Sequence, residues 1–138
     1  MTVKTVLVLD DEPGNRKVMC AILERSGFTP LEAATGAEAL KISGSHEGPI
    51  DLFVADVHLP DQSGVDVAAE ILRRCPETRV LFVSGTPIEG WAQRDVLSFC
   101  TLPRDRTRFV SKPFRASDLA EAVESLAGRR CAARGGAD

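Results

Sequence analysis

Residues 50–64, IDLFVADVHLPDQSG, carry the clearest signal of the fold of this chain. The apolar, uncharged segment at 52–55 changes abruptly to a carboxylate, Asp56, which turn-forming residues follow. This pattern predicts a strand that ends at Asp56 and is covered on both faces, as in parallel α/β sheets. Ligands of such sheets bind beyond the carboxyl ends of the strands, so Asp56 is a candidate for chemistry. The alternative is an aspartate that caps a turn or a helix, although Ser63 and Asp66 could cap the next helix without it.

The length and composition predict one globular domain. The chain has 138 residues, of which 43% are hydrophobic and 27% charged, and its formal net charge is −3. A domain of this size buries about two-thirds of the surface of its unfolded chain. The negative charge gives no general attraction for nucleic acids or anionic membranes, and no apolar run approaches the roughly 18 residues of a membrane span. We therefore expect a cytoplasmic protein with no nucleic-acid or membrane partner.

Cysteine and histidine are too few and too scattered to suggest a metal or nucleophile site built on thiolates or imidazoles. The chain has two histidines, and no C-x-x-C pair occurs among its four cysteines, Cys20, Cys75, Cys100 and Cys131. The cysteines are predicted to be free thiols in a reducing compartment.

Hydrophobic periodicity predicts five strands that alternate with five helices. The strands are predicted at 5–9, 28–33, 52–56, 80–83 and 108–111, and the helices at 15–26, 35–42, 65–74, 88–100 and 117–126. Pro30 removes a backbone donor, which places the second strand at an edge of the sheet. Thr35 and Glu38 match a capping box at the start of the second helix. The alternation predicts a doubly wound parallel sheet with right-handed crossovers.

The strand ends carry the residues that suggest a function. Because the carboxyl ends of parallel strands meet at one edge of the sheet, the fold would bring together the polar residues found there, which are Asp10, Asp11, Asp56, Ser84 and Lys112. Clustered carboxylates repel one another unless a cation neutralises them, and oxygen-only ligands suit a partly hydrated Mg²⁺. With that metal and Lys112 nearby, a carboxylate oxygen of Asp56 could attack a phosphorus atom, and Ser84 could donate a hydrogen bond to a phosphoryl oxygen.

Four short motifs lie at these strand ends. They are Leu9-Asp10-Asp11-Glu12, Asp56 with Pro60 and Gly64 after it, Ser84-Gly85, and Lys112-Pro113-Phe114. Together they resemble the receiver domain of response regulators in two-component signalling, over about residues 3–127. The resemblance implies a flavodoxin-like sheet with the strand order 2-1-3-4-5, which is known for the chemotaxis member of this family. It also implies a cis peptide bond between Lys112 and Pro113.

The resemblance further implies a role for each of the residues at the carboxyl edge of the sheet, which is the rim of the site. The metal ligands would be Asp11 and Asp56 directly, Asp10 through water, and the backbone carbonyl of His58. Asp56 would be the phosphoacceptor, Lys112 the cation that pairs with the phosphoryl group, Ser84 the hydroxyl that follows it, and Phe109 the aromatic switch residue. His58 and Thr86, each two residues beyond a site residue, are predicted to influence the lifetime of the phosphoryl group.

Such a domain is a regulator rather than an enzyme. The expected partners are a sensor histidine kinase or phosphotransfer protein, a downstream protein, and a second copy in a phosphorylation-dependent dimer. Residues 1–128 are predicted to form the receiver domain, and 129–138 a flexible tail.

Two features depart from the family pattern. The interval between Ser84 and Lys112, residues 85 to 111, is longer than expected, and Leu102-Pro103-Arg104-Asp105 replaces the usual pair of small residues before the last strand. These departures leave the shape of the fourth helix and the dimerisation face open. The segment looks similar to receivers attached to hybrid histidine kinases.

The sequence disfavours two rival functions and leaves a third open. A Mg²⁺-dependent phosphatase with an aspartyl-phosphate intermediate would carry an Asp-x-Asp pair after the first strand, whereas Asp10 and Asp11 are adjacent here. A flavodoxin-like flavin binder is disfavoured because an acidic first turn would repel the flavin phosphate. A receiver-shaped scaffold that is never phosphorylated remains as the third alternative.

Overall fold

The computed structural model describes residues 4–128, which form five strands and five α-helices. The strands are β1 Lys4–Leu9, β2 Phe28–Ala33, β3 Leu52–Asp56, β4 Arg79–Ser84 and β5 Thr107–Ser111, and the helices are α1 Pro13–Arg25, α2 Gly36–Ser45, α3 Gly64–Arg74, α4 Gln93–Cys100 and α5 Ala116–Val123. Short 3₁₀ turns occupy Ile88–Gly90 and Arg104–Arg106, and a π-helical turn, Glu124–Gly128, continues α5. Across 4–128, every helix is too short or too polar to cross a membrane. The predicted tail at 129–138 lies outside the described residues.

All strands of the sheet are parallel, in the order β2-β1-β3-β4-β5. This confirms the doubly wound fold and the strand order implied by the family resemblance, and it places the Pro30 strand at an edge. Alternate residues of each central strand face opposite layers. One layer packs Leu7, Phe53 and Phe82 against α2, α3 and α4, and the other packs Val8, Val54 and Leu81 against α1 and α5. The central strands are therefore buried on both faces, as their uncharged sequences predict.

Several helix ends differ from the predictions in ways that local chemistry explains. Helix α1 begins at Pro13 rather than residue 15, since proline fits the first helical turn and the Glu12 side chain accepts a hydrogen bond from the Gly14 amide. It ends before Gly27, which has a φ of 95°. At α2, Thr35 caps the Glu38 amide as predicted, but the Glu38 carboxylate accepts from the Ala34 amide, one residue earlier than in a capping box.

The predicted continuous helix at 88–100 is wrong. The segment contains a 3₁₀ turn at Ile88–Gly90, two extended residues, and then α4, which begins at Gln93. Trp91 and Ala92 have ψ angles of 155° and 146°. The break occurs because the Trp91 indole turns into the core, where its Nε1 donates to the Thr86 carbonyl. Burial of one large side chain outweighs the helical spacing of its neighbours.

Candidate functional site

Three carboxylates meet at the carboxyl edge of the sheet. Asp10 follows β1, Asp11 comes next, and Asp56 ends β3, and ligand oxygens of the three lie within 4.8 Å of one another. Between residues 4 and 128 this is the one group of three or more acidic, histidine or cysteine side chains that converges closely enough to hold a metal ion. The topology thus brings together these carboxylates from the ends of two different strands, as the sequence predicts for a parallel sheet.

Lys112 joins the carboxylates from the end of β5. Its Nζ lies 2.9 Å from Asp56 Oδ2 and 3.2 Å from Asp10 Oδ2. Its own amide donates a hydrogen bond to the Ser84 carbonyl at 2.8 Å, and the peptide bond to Pro113 is cis, as the resemblance implied. The ammonium group and two of the carboxylates therefore form one network across three strands.

Burial shapes the electrostatics of this network. Asp10 is fully buried, and burial raises the pKa of its carboxyl despite hydrogen bonds from the Glu12 amide and Lys112. Burial alone would lower the pKa of Lys112, but its hydrogen bonds and charge attraction to Asp56 and Asp10 raise that pKa above the ordinary value. A buried carboxylate beside two others is a site where a further cation would be stabilised.

The backbone orients Asp56. Its Oδ1 accepts a hydrogen bond from the His58 amide at 3.0 Å, so both carboxylate oxygens have partners. The Asp56 side chain is 11% exposed, which leaves it reachable from the rim. Gly64 lies against the same residue, because a Cβ at that position would stand 2.0 Å from the Asp56 carbonyl oxygen. Ser63 caps the Val65 amide at the start of α3, whereas Asp66 pairs with Arg94 on α4 and takes no part in that cap.

Ser84 lies at the rim but is bonded within its own loop. Its Oγ accepts from the Thr86 amide at 3.0 Å, can donate to the Thr86 carbonyl at 3.1 Å, and lies 3.3 Å from His58 Nδ1. The two residues predicted to influence phosphoryl lifetime, His58 and Thr86, thus both contact the Ser84 hydroxyl. The half-buried Phe109 packs on Trp91 with a ring separation of 5.7 Å.

Two residues that shape the site were not predicted from the sequence. Arg16 donates from its guanidinium to the Asp10 carbonyl at 2.7 Å and pairs with Glu32, which anchors the β1–α1 turn. Its position in the first turn of the helix after the acidic motif was a signal that could have suggested this contact. Trp91 lies within the helix predicted at 88–100, and no sequence pattern indicates its bond to the loop after β4.

The chain is similar to known proteins over most of its length. The model of the family described as the response regulator receiver domain matches residues 6–124. The sensor kinase CckA of Brucella abortus (strain 2308) is 33% identical over 123 residues, which cover 88% of this chain and 12% of that protein. The response regulator receiver protein CpdR of the same organism is 25% identical over 123 residues, which cover 89% of this chain and 96% of that protein.

A solved structure with similar geometry is that of the response regulator protein TrrA of Thermotoga maritima in complex with Mg²⁺ and BeF. It is 31% identical, covers 89% of this chain and 98% of its own, and superposes with a TM-score of 0.74. The chain therefore spans about an eighth of one curated relative, a sensor kinase, and nearly the whole of another, a receiver protein.

Proposed function

This chain belongs to the response regulator receiver domain family of two-component signalling, and on that basis we propose that Asp56 accepts a phosphoryl group from a phosphohistidine. The donor would be a sensor histidine kinase or a phosphotransfer protein. The observation that carries the proposal is the convergence of Asp10, Asp11 and Asp56 within 4.8 Å, with Lys112 Nζ 2.9 Å from Asp56 Oδ2. Charges of both signs then surround one reachable carboxylate, as phosphoryl transfer requires.

The residues present fit Mg²⁺, which receiver domains bind at an acidic aspartate cluster. All donors in the cluster are carboxylate oxygens, the ligand type that this hard cation prefers. Asp11 and Asp56 would bind the ion directly, Asp10 through water, and the backbone carbonyl of His58 would complete the protein ligands. When bound, the metal would neutralise negative charge on the transferring phosphoryl oxygens.

The chain's own residues would carry out the transfer. One carboxylate oxygen of Asp56 attacks phosphorus while the phosphorus–nitrogen bond of the donor histidine breaks, and the imidazole keeps the electron pair. Lys112 already bonds Asp56, so its ammonium can turn to the new phosphoryl oxygens without crossing the site. The product is an aspartyl phosphate, which water later hydrolyses. The protein acts as a phosphoacceptor regulator and assists only its own phosphorylation and dephosphorylation.

Phosphorylation would also switch a partner-binding surface. The phosphoryl group adds about −1.5 to −2 charges and three acceptor oxygens, and Ser84 and Lys112 are drawn toward it. Their movement reshapes residues 86–110 and biases Phe109 toward burial, so a downstream partner binds through α4, β5 and α5. The unphosphorylated protein should sample the active arrangement to a small extent, because a ligand shifts an equilibrium only by its differential affinity.

The test is phosphorylation by acetyl phosphate and Mg²⁺, followed by intact mass. We expect the wild type to gain one phosphoryl group and Asp56→Asn to gain none, with EDTA abolishing uptake. Asp61→Asn is the matched control, since Asp61 lies in the next loop and accepts hydrogen bonds from the start of α2. Equal labelling of Asp56→Asn would refute the assignment. An unlabelled wild type would favour the scaffold alternative, and turnover of generic phosphate esters would favour the phosphatase.

A further inference from the structure

Trp91, the single tryptophan of the chain, shares one hydrogen-bond acceptor with Ser84. Its indole Nε1 donates to the Thr86 carbonyl at 2.8 Å, and Ser84 Oγ lies 3.1 Å from the same oxygen. The Thr86 amide in turn donates to Ser84 Oγ at 3.0 Å. The loop after β4 is therefore held from both sides, by the Ser84 hydroxyl at the rim and by the indole in the core.

The indole ring is packed among side chains from other parts of the domain. Its centre lies 5.7 Å from that of Phe109 on β5, 5.5 Å from that of Phe99 on α4, and 6.3 Å from that of His58 beyond β3, all in edge-to-face arrangements. Trp91 is 6% exposed. A ring enclosed in this way cannot shift without displacing the rings against it, since protein interiors are close-packed.

We propose that Trp91 is a positioning residue that couples the Ser84 hydroxyl to Phe109 and α4, an inference that rests on the phosphorylation of Asp56 proposed above. A serine hydroxyl has one proton to donate. When that proton turns from the Thr86 carbonyl to a phosphoryl oxygen, the carbonyl keeps the indole as its donor. The half-buried Thr86 carbonyl therefore keeps a hydrogen-bond partner, which lowers the free-energy cost of releasing the Ser84 hydroxyl.

The same bond transmits the movement. If the Ser84–Thr86 segment moves toward Asp56, the Thr86 carbonyl draws the indole with it, and the rings of Phe109 and Phe99 must repack. Trp91 thus provides a physical link from the rim to the surface where the partner would bind. Without the indole N–H, the Thr86 carbonyl would depend on Ser84 alone, which would hold the hydroxyl in the resting position.

Two substitutions distinguish a coupling role of Trp91 from a role in core packing alone. Trp91→Phe keeps an aromatic ring in the core and removes the N–H donor. Phe28→Leu is the matched control, because it removes a buried ring from the opposite layer of the core and leaves the bond of Trp91 to Thr86 in place. A residue that only fills the core would lower the thermal stability in both variants and leave the response to Asp56 occupancy unchanged.

The decisive measurement is amide hydrogen exchange at residues 93–110 with and without beryllofluoride and Mg²⁺, a mimic of the phosphoryl group. We expect its addition to change exchange there in the wild type and in Phe28→Leu, and the change to be lost in Trp91→Phe even when saturating beryllofluoride occupies Asp56. An undiminished change in Trp91→Phe would overturn the inference.

The wild type supplies a second test that needs no variant. Beryllofluoride should shift the fluorescence emission of Trp91 or its quenching by acrylamide, because the indole moves with Thr86. Unchanged fluorescence with Asp56 occupied would overturn the inference even if Trp91→Phe failed to fold. Failure of the wild type to bind beryllofluoride at all would instead contradict the proposed function, and the coupling role would fall with it.

Discussion

Substituting Gly64 by alanine should damage both the stability of the domain and the geometry of Asp56. A Cβ on Gly64 would lie 2.0 Å from the Asp56 carbonyl oxygen, 3.0 Å from the Asp56 carbonyl carbon and 3.2 Å from Val57 Cα. All three neighbours are backbone atoms, which cannot rotate aside as the end of a flexible side chain can. The Gly64 amide also donates to the Val57 carbonyl at 2.8 Å, which holds the two segments together.

The size of the effect follows from the displacement needed. Real Cβ contacts essentially never fall below 3.0 Å, so the end of β3 and the start of α3 must separate by at least 3.0 − 2.0 = 1.0 Å. Overpacking of this kind costs about 1 to 3 kcal/mol, and a clash with backbone belongs at the upper end. About 3 kcal/mol corresponds to a fall in Tm on the order of 10 °C. Misplacing a reacting group by about 1 Å can slow a reaction roughly 100-fold.

The assay compares Gly64→Ala with Gly44→Ala. At Gly44, inside α2, a Cβ would meet only the end of the Arg74 side chain at 3.5 Å, an ordinary contact. Alanine is favoured over glycine in a helix by about 0.5 to 1 kcal/mol, so Gly44→Ala should be slightly stabilising. Thermal unfolding gives the stability of each variant, and acetyl phosphate labelling below both transitions gives the rate. The reasoning is refuted if Gly64→Ala unfolds and labels as the wild type does.

Three further results are expected. Lys112→Met should lower the free energy of unfolding by roughly 3 kcal/mol in urea, since it leaves two carboxylates without their cation; this is the low end for a buried pair because Lys112 is 22% exposed. Mg²⁺ should restore part of the loss, and an equal loss with and without Mg²⁺ would count against a metal site there. Arg94→Ala should lower the free energy of unfolding by less than about 1 kcal/mol, because the ion pair with Asp66 is solvent-exposed. A larger loss in the same urea measurement would show that this ion pair stabilises the packing of α4 on α3. Burial raises the pKa of Cys20 from 9.0 to about 11, so its thiol stays protonated at pH 8. Peptide mapping should then show that iodoacetamide labels the exposed Cys100 before Cys20, and comparable labelling of the two would contradict this. Because the folded-state pKa of Cys20 is the higher one, its contribution to stability is present below pH 9 and lost as the pH rises through about 11.

The order of strands in the chain and the set of residues at the carboxyl edge of the sheet can be predicted from local sequence patterns. The strand at 28–33 was predicted with the bounds that the structure shows, and the strand ending at Asp56 was placed correctly. Both succeed because strand signals are local: residues 52–55 form an uncharged run that is covered on both faces, and Pro30 marks the strand at 28–33 as an edge strand. Because the carboxyl ends of parallel strands meet at one edge of the sheet, the order of strands and helices is then enough to predict that Asp10, Asp56 and Lys112 lie close together.

The contacts that those residues make cannot be predicted from local sequence patterns. Lys112 bonds Asp10 across 102 positions of the chain, and no periodicity within a window of sequence encodes such a distance. The break in the helix before Gln93 had the same origin, because Trp91 gains more from burial against β5 and from its bond to Thr86 than from helical geometry. Propensity acts within a few residues, whereas burial and hydrogen bonding act between any groups that the fold brings together, and in this domain they override propensity in the loop beside the site.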